Sequence, residues 1–466
     1  MKKKRTIYIT VESVKRELNS KILLALRSLK KKNYRVIIGQ KGNVWSIFNK
    51  VNPGIAFIKS FGSKNTKIID LLKNKNFKIV SNDEEVILAW DMKERLKYRM
   101  DNENLNKIDL LLAVGNEDSN EIKEIFPHKF NDTEIVGNLR LEILKKKYRS
   151  LLKEQTNKLK NKYGEFILFT TQFGRINHYL REDHVIDFVY SRIVDDNIDP
   201  ESHHIKIVNE QIIMQREILF QTIKFLNNFE KKFPDKKILI SPHPVESKMF
   251  WRNFIQKRKF KNILLNDDIY TTTHAYINAS SLVISSNSTS LLEAYFLEKH
   301  TINFLAKYKS SAEIKFLKDI CKVARSADEV NTLIENSKNI NLNIEPKNEK
   351  DVIKNLDYDF DAFDFLINLF DRMNSVKSYK SIFPNKKIEY YLFFLNNFRN
   401  FKRLIKKLIG YRSNSLLERL HIEKVGNNFN YKEFSKKVYD INRIEKIENL
   451  KIKQILPQVF LLDTTD

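Results

Sequence analysis

A single cysteine, Cys321, in 466 residues rules out an internal disulfide framework and a zinc-cysteine cluster, and is what a reducing compartment permits. No apolar run approaches the roughly 20 residues that a membrane-spanning helix requires. The amino-terminal MKKKRTIYITVES starts basic, but its apolar run is short and broken by Glu12, so neither a signal peptide nor a span is expected there. Glycine and proline are scarce, at 10 and 9, beside abundant Lys, Asn and Ile. That balance looks like the codon bias of an AT-rich genome, so part of the positive charge reflects composition rather than a partner. Also missing are HExxH or HxxxH metal spacings and any GxSxG, Walker or GxGxxG signature. No metal and no cofactor are expected. The expected location is cytoplasmic.

The chain does have enough apolar sequence, 42%, for two ordinary domains. Its formal net charge of +25 would attract a nucleic acid, an anionic membrane or a phosphorylated small substrate alike. Nucleic acid is the reading from another class, and no helix-turn-helix, zinc finger or aromatic RNA-binding motif supports it.

Short β-branched runs alternate with stretches of helical period, the pattern of parallel strands covered by helices. Strands are expected at 6–11, 35–39, 55–58, 77–80, 110–114 and 134–136, with a helix after the first carrying Ser20, Leu23, Leu24, Leu26 and Leu29 near one face. A lysine-rich helix over about 139–162 follows the Gly137-Asn138 turn and ends at Gly164. A second α/β series has strands at 166–170, 237–241, 262–265, 282–285 and 301–304, and helices near 210–232, 288–298 and 310–319. The segment 174–208, with His178, His184, His203 and His204, reads as a loop or lid, and His203-His204 as solvated loop. Beyond about 345 the β signal stops. The expected domains are therefore 1–160, 161–345 and a helical, basic extension 346–466, with a cleft between the two α/β domains. In the extension, Phe394, Phe398, Phe401, Ile405 and Leu408 recur at helical spacing beside Arg399, Lys402, Arg403, Lys406 and Lys407. This stripe over 390–409 can pack on the core, the favoured reading, or lie on an anionic membrane surface.

Four constellations could carry chemistry. Ser241-Pro242-His243-Pro244 follows an apolar run, and two prolines around a histidine at a strand's carboxyl end hold an imidazole where open α/β sheets bind ligands. His243 suits a phosphate donor or general acid, against the alternative of a histidine with only local bonds. Ser285, Ser286, Ser288, Thr289 and Ser290 lie between a strand and a helix, placing hydroxyls, free N–H groups and the helix dipole at one point, which suits phosphate. Glu293, a turn further on, could accept from ribose hydroxyls; the simpler reading is a well-supplied N-cap. Asp83, Glu84 and Glu85 are consecutive carboxylates whose repulsion can raise one pKa and prepare a base, or else the acidic first turn of a helix. Arg140, after Gly137-Asn138, could bind a pyrophosphate or acidic sugar, or form a surface ion pair.

VESVKRELNSKILLALRSLKKKNYRVIIGQK, PGIAFIKS, the NDEE stretch and VGNLRLEIL occur in an order that resembles a bacterial family of surface carbohydrate biosynthesis proteins, over about residues 5–310. The resemblance implies a GT-B-like α/β fold of two Rossmann-like domains, with the nucleotide held mainly by the second. The His-Pro and Ser-rich motifs are similar to those of bacterial sialyltransferases, capsule Kdo transferases and CDP-glycerol glycerophosphotransferases. By that likeness His243, with Pro244, would hold or protonate the donor phosphate together with Ser286, Ser288 and Thr289. Glu84 and Glu85 match an acidic base pair, with Glu85 slightly preferred, although Val86 stands where the pattern has glycine. Leu139 and Glu142 replace the usual proline and aspartate around Arg140. The implied activity is glycosyl transfer, with a nucleotide-activated sugar, cytidine-linked rather than uridine-linked, and an oligosaccharide or lipid-linked acceptor as partners; the rival enzyme reading is a polyol-phosphate transferase. No nucleic-acid partner is implied.

Overall fold

The computed structural model describes residues 2–84, 96, 100–178, 200–268, 271–337, 352–408 and 429–465. The chain divides into two compact units, one of residues 1–87, 95–143 and 349–466, the other of residues 88–94 and 144–348. Both are α/β: the second has an all-parallel sheet, and the first a parallel sheet extended at one edge by antiparallel strands.

In the first unit β1 (Arg5–Val11), β2 (Tyr34–Gln40), β3 (Ile55–Ile58), β4 (Lys78–Asn82), β5 (Leu110–Ala113) and β6 (Thr133–Ile135) lie in the order β2-β1-β3-β4-β5-β6, all parallel. The central β1 is apolar at successive positions because both faces are covered: Ile7, Tyr8, Ile9 and Val11 are all buried. The helix Val14–Lys30 is buried well beyond a single stripe, at Leu18, Ile22, Leu23, Leu24, Leu26 and Leu29. The helices Ala362–Arg372 and Tyr431–Glu445 cover its outer side. Arg27 lies 2.8 Å from Asp364 and 2.7 Å from Glu445, and Lys30 lies 2.6 Å from Glu445.

Two expectations are corrected here. Residues 349–466 are not a separate helical extension. They hold helices, but they belong to the first unit and end in a hairpin, β13 (Leu450–Leu456) and β14 (Val459–Thr464), which pairs antiparallel on β2. Gly39 makes this approach possible: a Cβ there would stand 2.3 Å from the Gln458 carbonyl oxygen. The expected 139–162 helix is also broken, into a turn at Leu139–Glu142, a 3-10 stretch at Lys146–Leu152 and the helix Lys153–Tyr163. Residues 139–145 are buried without interruption, which one straight amphipathic helix cannot achieve. Gly164 does cap it, at φ +71°, with its N–H on the Lys160 carbonyl.

The second unit's strands are β7 (Ile167–Thr170), β8 (Ile238–Ser241), β9 (Ile263–Leu265), β10 (Leu282–Ser285), β11 (His300–Phe304) and β12 (Lys322–Ala324), in the order β12-β11-β10-β7-β8-β9. The chain runs outward from β7 through β8 and β9, then crosses to β10 and runs outward on the other side. This is the doubly wound Rossmann order. The three-residue β12 escaped the sequence pattern. The helix His203–Lys232 starts earlier than expected, capped by Ser202, so His203-His204 is its first turn rather than loop. The rest of the supposed lid, 179–199 with His184, lies outside the described residues.

Candidate functional site

A doubly wound sheet opens a crevice where its strand order reverses, at the strands' carboxyl ends. In the second unit that point lies between β7 and β10, and the loops after β7, β8 and β10 meet around it. Thr170 Oγ1 donates to Ser285 Oγ at 2.7 Å, and Ser285 Oγ donates to the Thr170 carbonyl at 2.8 Å, so Ser285 joins β10 to β7. Gln172 Nε2 donates to Ser288 Oγ at 3.0 Å. Ser288 is the N-cap of the helix Thr289–Phe296, accepting from Ser290 N, and Thr289 and Ser290 are half-buried at its start. Ser286 is buried.

Asn287 makes this turn possible. It adopts φ +51°, the left-handed region that asparagine tolerates better than most residues. Three bonds hold it there: its N–H donates to Asn303 Oδ1, its Nδ2 to the Ala312 carbonyl, and its Oδ1 accepts from Ile314 N. Glu293 is buried on the following helix, its Oε2 3.5 Å from His274 Nε2.

The half-buried His243 and the exposed Pro244 follow β8, which pairs with β7 on the side away from β10. Val245 N donates to His243 Nδ1 at 3.3 Å, which favours the tautomer with its proton on Nε2. The residue that shapes this loop is Glu246, which sequence reasoning missed. Its buried carboxylate accepts from Thr171 Oγ1 (2.8 Å), Phe173 N (2.8 Å), His243 N (3.2 Å) and Trp251 Nε1 (3.2 Å). Burial pushes its pKa up, while these donors pull it back down. One side chain thus ties the loops after β7 and β8 to the helix Lys248–Arg258. The only hint was an acid three residues beyond a histidine in an apolar setting.

The first unit has its own reversal between β1 and β3, and a buried charge cluster lies there. Glu17, in the first helix, is 3.1 Å from both Lys21 and Lys59, and accepts from Glu12 N at 3.0 Å. The two lysines hold Glu17 well below the usual carboxylate range against the opposing effect of burial. Lys21 Nζ also donates to the Thr10 carbonyl and lies 3.7 Å from Glu84 Oε1. Glu84 is buried, neither of its carboxylate oxygens accepts a hydrogen bond among the described residues, and burial pushes its pKa up. The like charge adding to the rise is Glu17, whereas sequence reasoning had looked to the adjacent acids. Lys21, Arg140 and Lys59 act in the opposite direction.

Asp83 is half-buried, and Glu85 lies outside the described residues. Arg140 is buried in this unit, within electrostatic reach of Glu84. Its position follows from the turn before it. Gly137 has φ +82°, and a Cβ there would meet Asn355 Oδ1 at 2.5 Å. Asn138 accepts from Arg140 N and donates to the Glu84 carbonyl, while Asn355 donates to Glu142 Oε2. The predicted site residues thus fall into two groups: His243, Pro244, the serine turn and Glu293 in the second unit, and Asp83, Glu84 and Arg140 in the first. Among the described residues no group of three His, Cys, Asp or Glu side chains could hold a metal ion.

No family model matches the chain, and no curated protein matches it in sequence. Solved structures are similar at low identity. The UDP-GlcNAc 2-epimerase of Methanocaldococcus jannaschii is 13% identical, with a TM-score of 0.47 over 76% of this chain and 99% of its own. The wall teichoic acid polymerase TagF is 12% identical, with a TM-score of 0.48 over 80% and 89%. The UDP-GlcNAc 2-epimerase of Neisseria meningitidis, bound to UDP-GlcNAc, is 11% identical, with a TM-score of 0.46 over 79% and 100%. The Rossmann-like reading of both units rests on their own strand order.

Proposed function

We propose that this chain is a glycosyltransferase that moves a sugar from a nucleotide-activated donor to a surface polysaccharide or lipid-linked acceptor. The observation that carries the proposal is the meeting of three loops at the reversal point of the second sheet: Gln172 after β7, His243 after β8 and the Ser286–Ser290 turn after β10. An imidazole, several hydroxyls and the N-terminus of an eight-residue helix on one sheet edge form a donor set for a nucleotide's phosphates. In this reading His243 supports the leaving phosphate, Ser286, Ser288, Thr289 and Ser290 hold it, and Ser285, Glu246 and Glu293 position the loops. In the first unit Glu84, its proton affinity raised by burial, is the base that accepts the acceptor hydroxyl's proton, with Arg140 and Lys21 offsetting its charge.

Calorimetric titration with CMP, CDP, UDP and a short DNA duplex, of wild type and His243→Ala, tests the donor site. The expected result is one preferred nucleotide, bound about tenfold or more weakly by the variant, as loss of a hydrogen bond to a charged group predicts. Binding of DNA alone, indifferent to His243, would overturn the proposal. Glu84→Gln should lower turnover while leaving nucleotide affinity unchanged.

A further inference from the structure

The helix Lys386–Leu408 is turned the opposite way from the core-packing expectation. Leu392 and Asn396, at 2% and 8% exposure, face the protein, and Glu389 on the same helix lies 2.9 Å from Lys453 of β13. The aromatic stripe is outside: Tyr390, Phe394, Phe398 and Phe401 are 71%, 68%, 46% and 59% exposed. Tyr391, Phe393, Leu404 and Ile405 widen the same exposed arc. At 100° per residue these positions span about 160°, centred opposite Leu392. Exposed Asn397 falls within this arc, and an outward aromatic face of this breadth marks an interaction site.

Charge identifies the occupant. The 23-residue helix carries seven Lys or Arg residues and one acid, Glu389, already engaged by Lys453. Lys386, Lys387, Arg399 and Lys402 are exposed, and Lys402 Nζ lies 4.7 Å from the centre of the Phe398 ring. Long basic side chains beside outward aromatic rings suit an interface where rings enter the acyl boundary and cations reach anionic headgroups. A helix about 34 Å long lying in the membrane plane presents this whole face at once. No described helix is long and apolar enough to cross a membrane. We propose that the face formed by Tyr390, Phe394, Phe398 and Phe401 docks the protein in-plane on an anionic lipid surface. This stands independently of the proposed transfer reaction.

The test is flotation of the full chain with vesicles of equal phosphatidylglycerol and phosphatidylcholine, and with phosphatidylcholine alone. Wild type should float with the anionic vesicles and much less with the neutral ones, and salt should weaken binding. The Phe394→Glu, Phe398→Glu, Phe401→Glu triple variant should lose about tenfold or more of the bound fraction, with unchanged thermal unfolding because these side chains are exposed. Lys387→Glu with Lys402→Glu, both exposed within or at the edge of the same arc, should reduce anionic binding separately, which keeps the test sound if the triple variant unfolds. Failure of wild type to float, or equal flotation of wild type and both variants, overturns the proposal. So does a dimer in sedimentation that the triple variant dissolves without any vesicle binding, which would assign the face to a second copy.

Discussion

Buried acids are where single residues matter most in this protein. Asp118 follows β5, accepts from Val114 N at 2.8 Å, and burial raises its pKa to about 7. Between the ordinary carboxylate range and about 7, the folded state therefore holds this proton more tightly than the unfolded state. Stability falls as pH rises through that window and is unaffected below it. Asp118→Asn keeps the acceptor for Val114 and removes the charge. It should raise the melting temperature at pH 8, by a gain on the order of a few kcal/mol, and show no gain at pH 4. Melting curves across pH check this, and equal gains at both values would exclude the ionisation argument. Glu246 differs because its four donors serve two loops and a helix. Glu246→Ala should weaken nucleotide binding about as much as His243→Ala, by leaving Thr171, Trp251 and two backbone N–H groups without their acceptor. Glu246→Gln, which keeps the shape, should lose less; nucleotide titration of the pair distinguishes positioning from direct contact.

At the level of elements, the C-terminal hairpin depends on one position in β2. A methyl at Gly39 would collide with backbone atoms of Gln458 and Val459 rather than with a movable side chain. Gly39→Ala should therefore displace β14 and destabilise the first unit by about 1–3 kcal/mol. Hydrogen exchange should show lost protection in β13 and β14, while the second unit's strands remain protected. The hairpin was visible in principle, since Lys451, Lys453 and Leu450, Ile452 alternate before the Pro457-Gln458 turn. Its partner was not, because antiparallel pairing with a strand some 420 residues earlier leaves no local trace.

For the molecule as a whole, the first unit is built from both ends of the sequence. Lys4 is 2.7 Å from Asp463, Tyr34 donates to Asp371, and Arg35 donates to the Tyr379 and Lys380 carbonyls. Removing residues 430–466 would strip the Tyr431–Glu445 part of the cover from the helix Val14–Lys30 and leave the edge of β2 open. The truncated chain should aggregate or show reduced first-unit protection in hydrogen exchange, with the 144–348 unit retaining its own.

Local pattern alone determined most strands of both sheets, the Gly137-Asn138 turn, the Gly164 cap, and the placing of His243 and the serine run at strand ends. These follow from residue period and turn chemistry, which act over a few positions. Tertiary structure decided what depends on distant neighbours: the strand order that brings the loops after β7, β8 and β10 together, the burial that raises Glu84, and the engagement of Glu246. It also decided the outward face of Phe394, Phe398 and Phe401. A helical period records that one side of a helix is apolar, and only the neighbours on its other side settle whether that face meets a core or the solvent.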